Sequence, residues 1–132
     1  MNWLVARMKW VMLVCGVLTC AMLYTAIAPQ AALRSTFGES LEGALAEIIV
    51  RNWGVLITLV GAMLIYGAYN PPVRSLILIV AGIGKLIFIA LVLVYGRQFL
   101  SHQAGFVVVI DLLMVILFFG YLVAVRQWLA RE

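Results

Sequence analysis

The sequence predicts an all-α integral membrane protein, a four-helix bundle with a short amphipathic helix before its second span. Three observations carry this. Hydrophobic residues make up 67% of the 132 and charged residues only 11%, too little charge for the surface of a soluble domain of this size. The apolar residues gather into runs of about 20, the length that crosses a hydrocarbon core of roughly 30 Å at 1.5 Å rise per residue. Between these runs stand prolines, glycines and polar residues, which break helices and need water for their backbone groups.

The first span covers about residues 10–28, after a head carrying Arg7 and Lys9. A basic head, an apolar stretch and Ala26-Ile27-Ala28 before Pro29 imitate a secretory signal. The apolar stretch exceeds a signal core of about 7 to 15 residues, so it is expected to be a retained helix. From Pro29 to about Glu39 the chain is polar, with Gln30, Arg34, Ser35, Thr36 and Gly38, and is expected to be irregular outside the hydrocarbon.

Residues 40–50 form the amphipathic segment. Leu41, Ala44, Leu45, Ile48 and Ile49 recur at helical spacing while Glu39, Glu42 and Glu47 fall elsewhere, which suits a helix at the outer interface or an extension of the next span. The second span, about 50–69, stops at Asn70-Pro71-Pro72, where the prolines remove donors and restrict the preceding residue. The third, about 75–95, begins after Arg74 and ends at Gly96-Arg97-Gln98. A loop with Ser101, His102 and Gln103 leads to the fourth, about 106–125, which closes on Arg126, Gln127, Trp128 and Arg131. All of this forms one transmembrane domain.

Orientation follows from the basic residues, because loops rich in Lys and Arg stay in the cytoplasm. Arg7, Lys9, Arg74, Arg126 and Arg131 share one side, against Arg34, Arg97 and the marginal Arg51 with three glutamates on the other. Both termini are thus expected in the cytoplasm of a bacterial inner membrane. Trp3, Trp10, Trp53 and Trp128 and most of the tyrosines lie near span ends, as aromatic belts do.

The same distribution excludes several classes. The nine Lys and Arg stand singly at the ends of apolar runs and make no patch for nucleic acid. Cys15 and Cys20 lie about 140° apart on one helix, too divergent to bridge, and suit apolar packing. His102 is the single histidine. No metal-ligand spacing, Ser-His-Asp set or phosphate loop is present, so no metal, no cofactor and no catalytic residue is assigned.

Lys85 is the most informative residue. It lies ten residues from either end of the third span, about 15 Å from each interface. A charge at that depth costs about 2.5 to 3.5 kcal/mol on insertion scales and normally faces a partner or a cavity. Ala81 and Gly82 share its helix face and Gly84 stands beside it, a small-residue face that lets a neighbouring helix come close. Its expected partner is Asp111 in the fourth span, only about five helical rises away along the membrane normal, a gap that the lysine stem covers. Such a pair either fixes how the last two helices pack or handles a proton or ligand. Arg51, two residues before Trp53, sits where it can snorkel to the outer interface and could also compete for Asp111.

At Arg51-Asn52-Trp53-Gly54 followed by an apolar helix, and at the hairpin Asn70-Pro71-Pro72-Val73-Arg74 before another, the chain resembles the small bacterial DoxX-like four-helix membrane proteins. The resemblance covers most of the chain and implies a compact bundle and an accessory-subunit or chaperone role. In layout the chain is also similar, more loosely, to the four-span scaffold protein of ergosterol biosynthesis.

The favoured function at this point is non-catalytic association in the lipid bilayer, with copies of itself or with a larger membrane-protein partner. One rival is a small transporter or hydrophobic-ligand-binding bundle using Lys85 and Asp111. Another is a membrane enzyme acting on a lipid or quinone, with His102 or a tyrosine as acid or base. The first predicts a dry, packed Lys85; the second requires a water-reachable pocket around it; the third needs polar groups converging at an interface.

Overall fold

A computed structural model describes residues 3–130, except for the side chains of Leu4, Val5, Trp128 and Ala130. Arg131, counted above among the cytoplasmic cations, lies outside the described residues, as does the side chain of Trp128. The elements are α1 (Trp3–Cys20), α2 (Leu23–Ile27), α3 (Pro29–Phe37), α4 (Ala44–Tyr69), α5 (Pro71–Tyr95), a 3-10 turn (Arg97–Phe99) and α6 (Gln103–Ala130). Among the described residues, four helical segments are long and apolar enough to cross a membrane: Ala6–Ile27, Ala44–Tyr69, Pro71–Tyr95 and Gln103–Gln127. The chain is an all-α four-helix membrane bundle.

Each connection puts consecutive spans side by side and antiparallel. α1 packs on α4, α4 on α5, α5 on α6, and α6 returns to α1, which closes the ring. One end of the bundle therefore holds the start of α1, the Pro71 hairpin and the end of α6; α3 and the 96–102 loop lie at the other. Lys9 from α1 stands 4.8 Å from the Tyr69 ring at the end of α4, tying the first end together.

The core proper sits toward that first end. Met8, Met12, Leu64, Leu78 and Phe118 are fully buried there, with Cys15, Ile77 and Tyr121 around them. Lipid is as apolar as these side chains, so their association rests on close packing more than on escape from water. Glycines allow that closeness. A Cβ on Gly61 would lie 2.8 Å from the Cys20 backbone nitrogen and 2.9 Å from the Gly16 carbonyl oxygen, and one on Gly16 would lie 2.9 Å from the Gly61 oxygen. Backbone thus meets backbone where α1 crosses α4.

α1 and α2 form one span with a kink at Ala21–Met22. No proline or glycine causes it. The Ala21 amide divides between the Val17 and Leu18 carbonyls and the Met22 amide donates to Thr19, the tighter winding of a 3-10 turn. The Thr19 hydroxyl also donates back to the Cys15 carbonyl at 2.7 Å, a bond that bends helices. Beyond the kink α2 is drawn onto α4 at Gly54, where a Cβ would lie 2.7 Å from the Ala26 nitrogen.

Of the two readings of residues 40–50, the structure has the extension of the next span from Ala44 onward, while the stretch before it differs from expectation. Residues 40–43 are not helical, and Ala44–Val50 are the first two turns of α4. At 26 residues α4 is about 39 Å long, more than the hydrocarbon needs, so those turns stand in the interface and their amphipathic pattern belongs to the span itself. The short amphipathic helix before the second span is instead α3, in the stretch expected to be irregular. Pro29 at its first turn needs no amide partner there, and Gly38 at φ 77° ends it in the left-handed conformation. Pro29, Ala32 and Leu33 turn inward. Phe37 meets Phe99 edge-on at 5.3 Å, and Gly38 leaves room for the ring of His102. α3 is thereby fastened across the end of the bundle.

Candidate functional site

Lys85 and Asp111 come together. Lys85 Nζ donates to Asp111 Oδ1 at 3.0 Å, the separation of a charge-assisted hydrogen bond. The two side chains keep 12% and 13% of their surface, so both are largely out of contact with the surroundings. The bond joins the middle of α5 to the first half of α6, as the axial spacing of the two residues allows.

The pair does not lie in packed core. It lies on the wall of a cavity of about 440 Å³ in the α3 end of the bundle. Met114 and Ala81, which belong to the core below, form its floor. Leu18, Thr19 and Met22 border it from α1 and the kink, Ile57 and Val60 from α4. Trp53 and Phe88, stacked at 6.4 Å with 22° between their planes, form an aromatic wall where α4 meets α5, and Thr36 reaches it from α3. Lys85 and Asp111 are the two ionisable residues among all those lining it.

The small-residue face around Lys85 divides in three. Ala81 is buried in the core, Gly82 gives room to the ring of Phe119 at 2.8 Å from where a Cβ would be, and Gly84 faces open space, with nothing within 4 Å of such a Cβ. Gly84 is therefore a cavity residue and not a helix contact. The close contacts fall instead at Gly16, Gly54 and Gly61. The sevenfold spacing Gly54, Gly61, Ala68 along one buried face of α4 carried that signal in the sequence.

Arg51 makes no bond to Asp111. Its Nη1 donates to the Ala26 carbonyl at 2.7 Å and more distantly to Ile27, and its Nη2 pairs with Glu47 at 3.0 Å. It thus closes the C-terminus of α2, whose last carbonyls have no partners within the helix. Arg74 does the same for α4, with Nε at 3.1 Å from the Gly67 oxygen and Nη2 at 2.8 Å from that of Ala68, and is buried. Arg97 closes α5 on the Leu93 carbonyl at 2.9 Å. Three arginines that sequence reasoning treats as topology markers are also helix caps.

His102 is exposed beside Gly38 and does not line the cavity. Among the described residues no three His, Cys, Asp or Glu side chains converge as a metal site. What the arrangement offers chemically is a mostly apolar cavity with one ion pair and the side chains of Thr19 and Thr36 on its wall. Cavities of about 300 to 1,000 Å³ with mostly apolar walls and few polar groups are the usual form of small-molecule sites. Comparison of the chain with protein-family models, with curated proteins and with solved structures found no match.

Proposed function

We propose that this protein binds, and in transport would pass, a hydrophobic small molecule inside the membrane, with Lys85 and Asp111 as its polar anchor. The single observation behind this reading is the cavity of about 440 Å³ on whose wall the intramembrane pair lies. Association alone calls for a lysine packed dry against a neighbouring helix, and an enzyme calls for polar groups converging near His102. Neither matches a chamber opening at Lys85. We place the protein in a bacterial inner membrane with both termini in the cytoplasm, on the strength of the basic residues at the Pro71-hairpin end.

Native mass spectrometry of the protein in nanodiscs tests the reading. The wild type should retain a small amphiphile that Gly84→Phe, which builds a ring into the cavity, does not. Equal retention by the two, or none by either, would remove the cavity as the site.

A further inference from the structure

We infer that the ligand of this cavity carries an uncharged, hydrogen-bonding headgroup, as a long-chain alcohol does, and not an anionic or cationic one. The inference rests on the proposed binding function and deepens it. Among the described residues, Lys85 and Asp111 are the only ionisable groups on the cavity wall, and they are bonded to each other. Wherever their shared proton sits, the pair's net charge is zero. A ligand with a net charge would bring into an apolar chamber a charge that nothing there compensates, and such a charge is strongly disfavoured.

The pair still has capacity to bond a neutral head. A lysine ammonium has three donors, and one is used on Asp111 Oδ1. Asp111 Oδ2 accepts no hydrogen bond among the described residues, and Asp111 lines the cavity. A hydroxyl placed at the pair accepts from Lys85 and donates to Asp111 without breaking the bond between them. The Thr19 hydroxyl, on the α1 side of the cavity, already donates its proton to the Cys15 carbonyl. The apolar walls, with the Trp53 and Phe88 rings, then take the hydrocarbon part.

Quenching of Trp53 measures occupancy directly. The protein carrying Trp3→Phe, Trp10→Phe and Trp128→Phe, in zwitterionic nanodiscs, is titrated with four brominated alkyl probes of one chain length: an alcohol, a methyl sulfone, a sulfonate and a trimethylammonium. The alcohol and the sulfone should quench saturably, and the two charged probes at least about tenfold more weakly; the sulfone shares the sulfonate's bulk and isolates charge as the cause. Equal or tighter binding of either charged probe overturns the inference and leaves the cavity reading intact. Quenching that does not saturate, or that persists in Gly84→Phe or Ile57→Phe, reports partition into lipid and removes the cavity reading itself. Asp111→Asn, which leaves lysine's charge alone in the chamber, should move the preference to the sulfonate; no such move would also overturn the inference.

Discussion

Lys85 Nζ lies 3.0 Å from Asp111 Oδ1, joining α5 to α6 inside the membrane with a cavity on one side and helix packing on the other. Each charge is tolerated there because the other is present. Truncating one partner of such a pair leaves the second uncompensated, at about 3 to 5 kcal/mol, whereas replacing both with apolar residues is often close to neutral. Lys85→Met and Asp111→Leu should each lower thermal stability in detergent, and the double variant should recover most of the loss. Strictly additive losses would mean that the two residues are not coupled. Recovery of fold without recovery of ligand retention is the outcome expected of a binding site.

The crossing of α1 and α4 should be the most size-sensitive place in the bundle. Gly61→Val puts carbon against the Cys20 backbone, which has no side-chain freedom with which to yield. Overpacking of this kind typically costs about 1 to 3 kcal/mol. Gly84→Ala, whose methyl meets nothing within 4 Å, should unfold with the wild type. Unfolding temperatures of the two variants side by side check the contrast.

The arginine caps should rank by burial. Arg74 is 8% exposed and serves two carbonyls of α4, and hydrogen bonds to charged groups are worth about 1.5 to 3 kcal/mol. Arg51 keeps 46% of its side-chain surface at the outer turns of α4, where a cation at a helix C-terminus contributes about 0.3 to 1 kcal/mol. Arg74→Met should therefore destabilise more than Arg51→Met. The reverse order in chemical denaturation would show that capping does not set their contribution.

Backbone exchange distinguishes α3 from the segment after it. Amides of residues 33–37 lie within a helix fastened by Phe37 and Phe99, whereas those of 40–43 have no helical bonds. Hydrogen exchange in nanodiscs should be slower in the first group and close to that of a free peptide in the second. Uniformly fast exchange across 30–43 would mean that α3 does not persist.

Orientation is tested by labelling single cysteines in intact cells, in a background lacking Cys15 and Cys20. Ser35→Cys and Ser101→Cys, both exposed at the α3 end, should react with an impermeant reagent, and the exposed Pro72→Cys should not. Arg74 is unsuited to this test because it is buried against α4. Labelling at Pro72 alone would invert the topology.

The sequence by itself determined the number of spans, their approximate limits and the closeness of Lys85 to Asp111. These depend on one-dimensional quantities: apolar run length against bilayer thickness, helix breakers between the runs, and rise per residue along neighbouring antiparallel helices. Only the tertiary structure decided what surrounds the pair. Gly84 meets open space and no neighbouring helix, and the kink at Ala21–Met22 beside the cavity contains no proline or glycine, so neither feature is written in the order of residues along the chain. α3 was misread for a related reason, since its helicity depends on Ala32 and Leu33 packing inward and on Phe37 meeting Phe99, contacts that a nine-residue helix needs because it is too short to be stable alone. Arg51 likewise found its partners 25 residues back, at carbonyls freed by the end of α2, because an arginine binds whatever unsatisfied acceptors the packed fold brings within reach, and no spacing in the chain announces them.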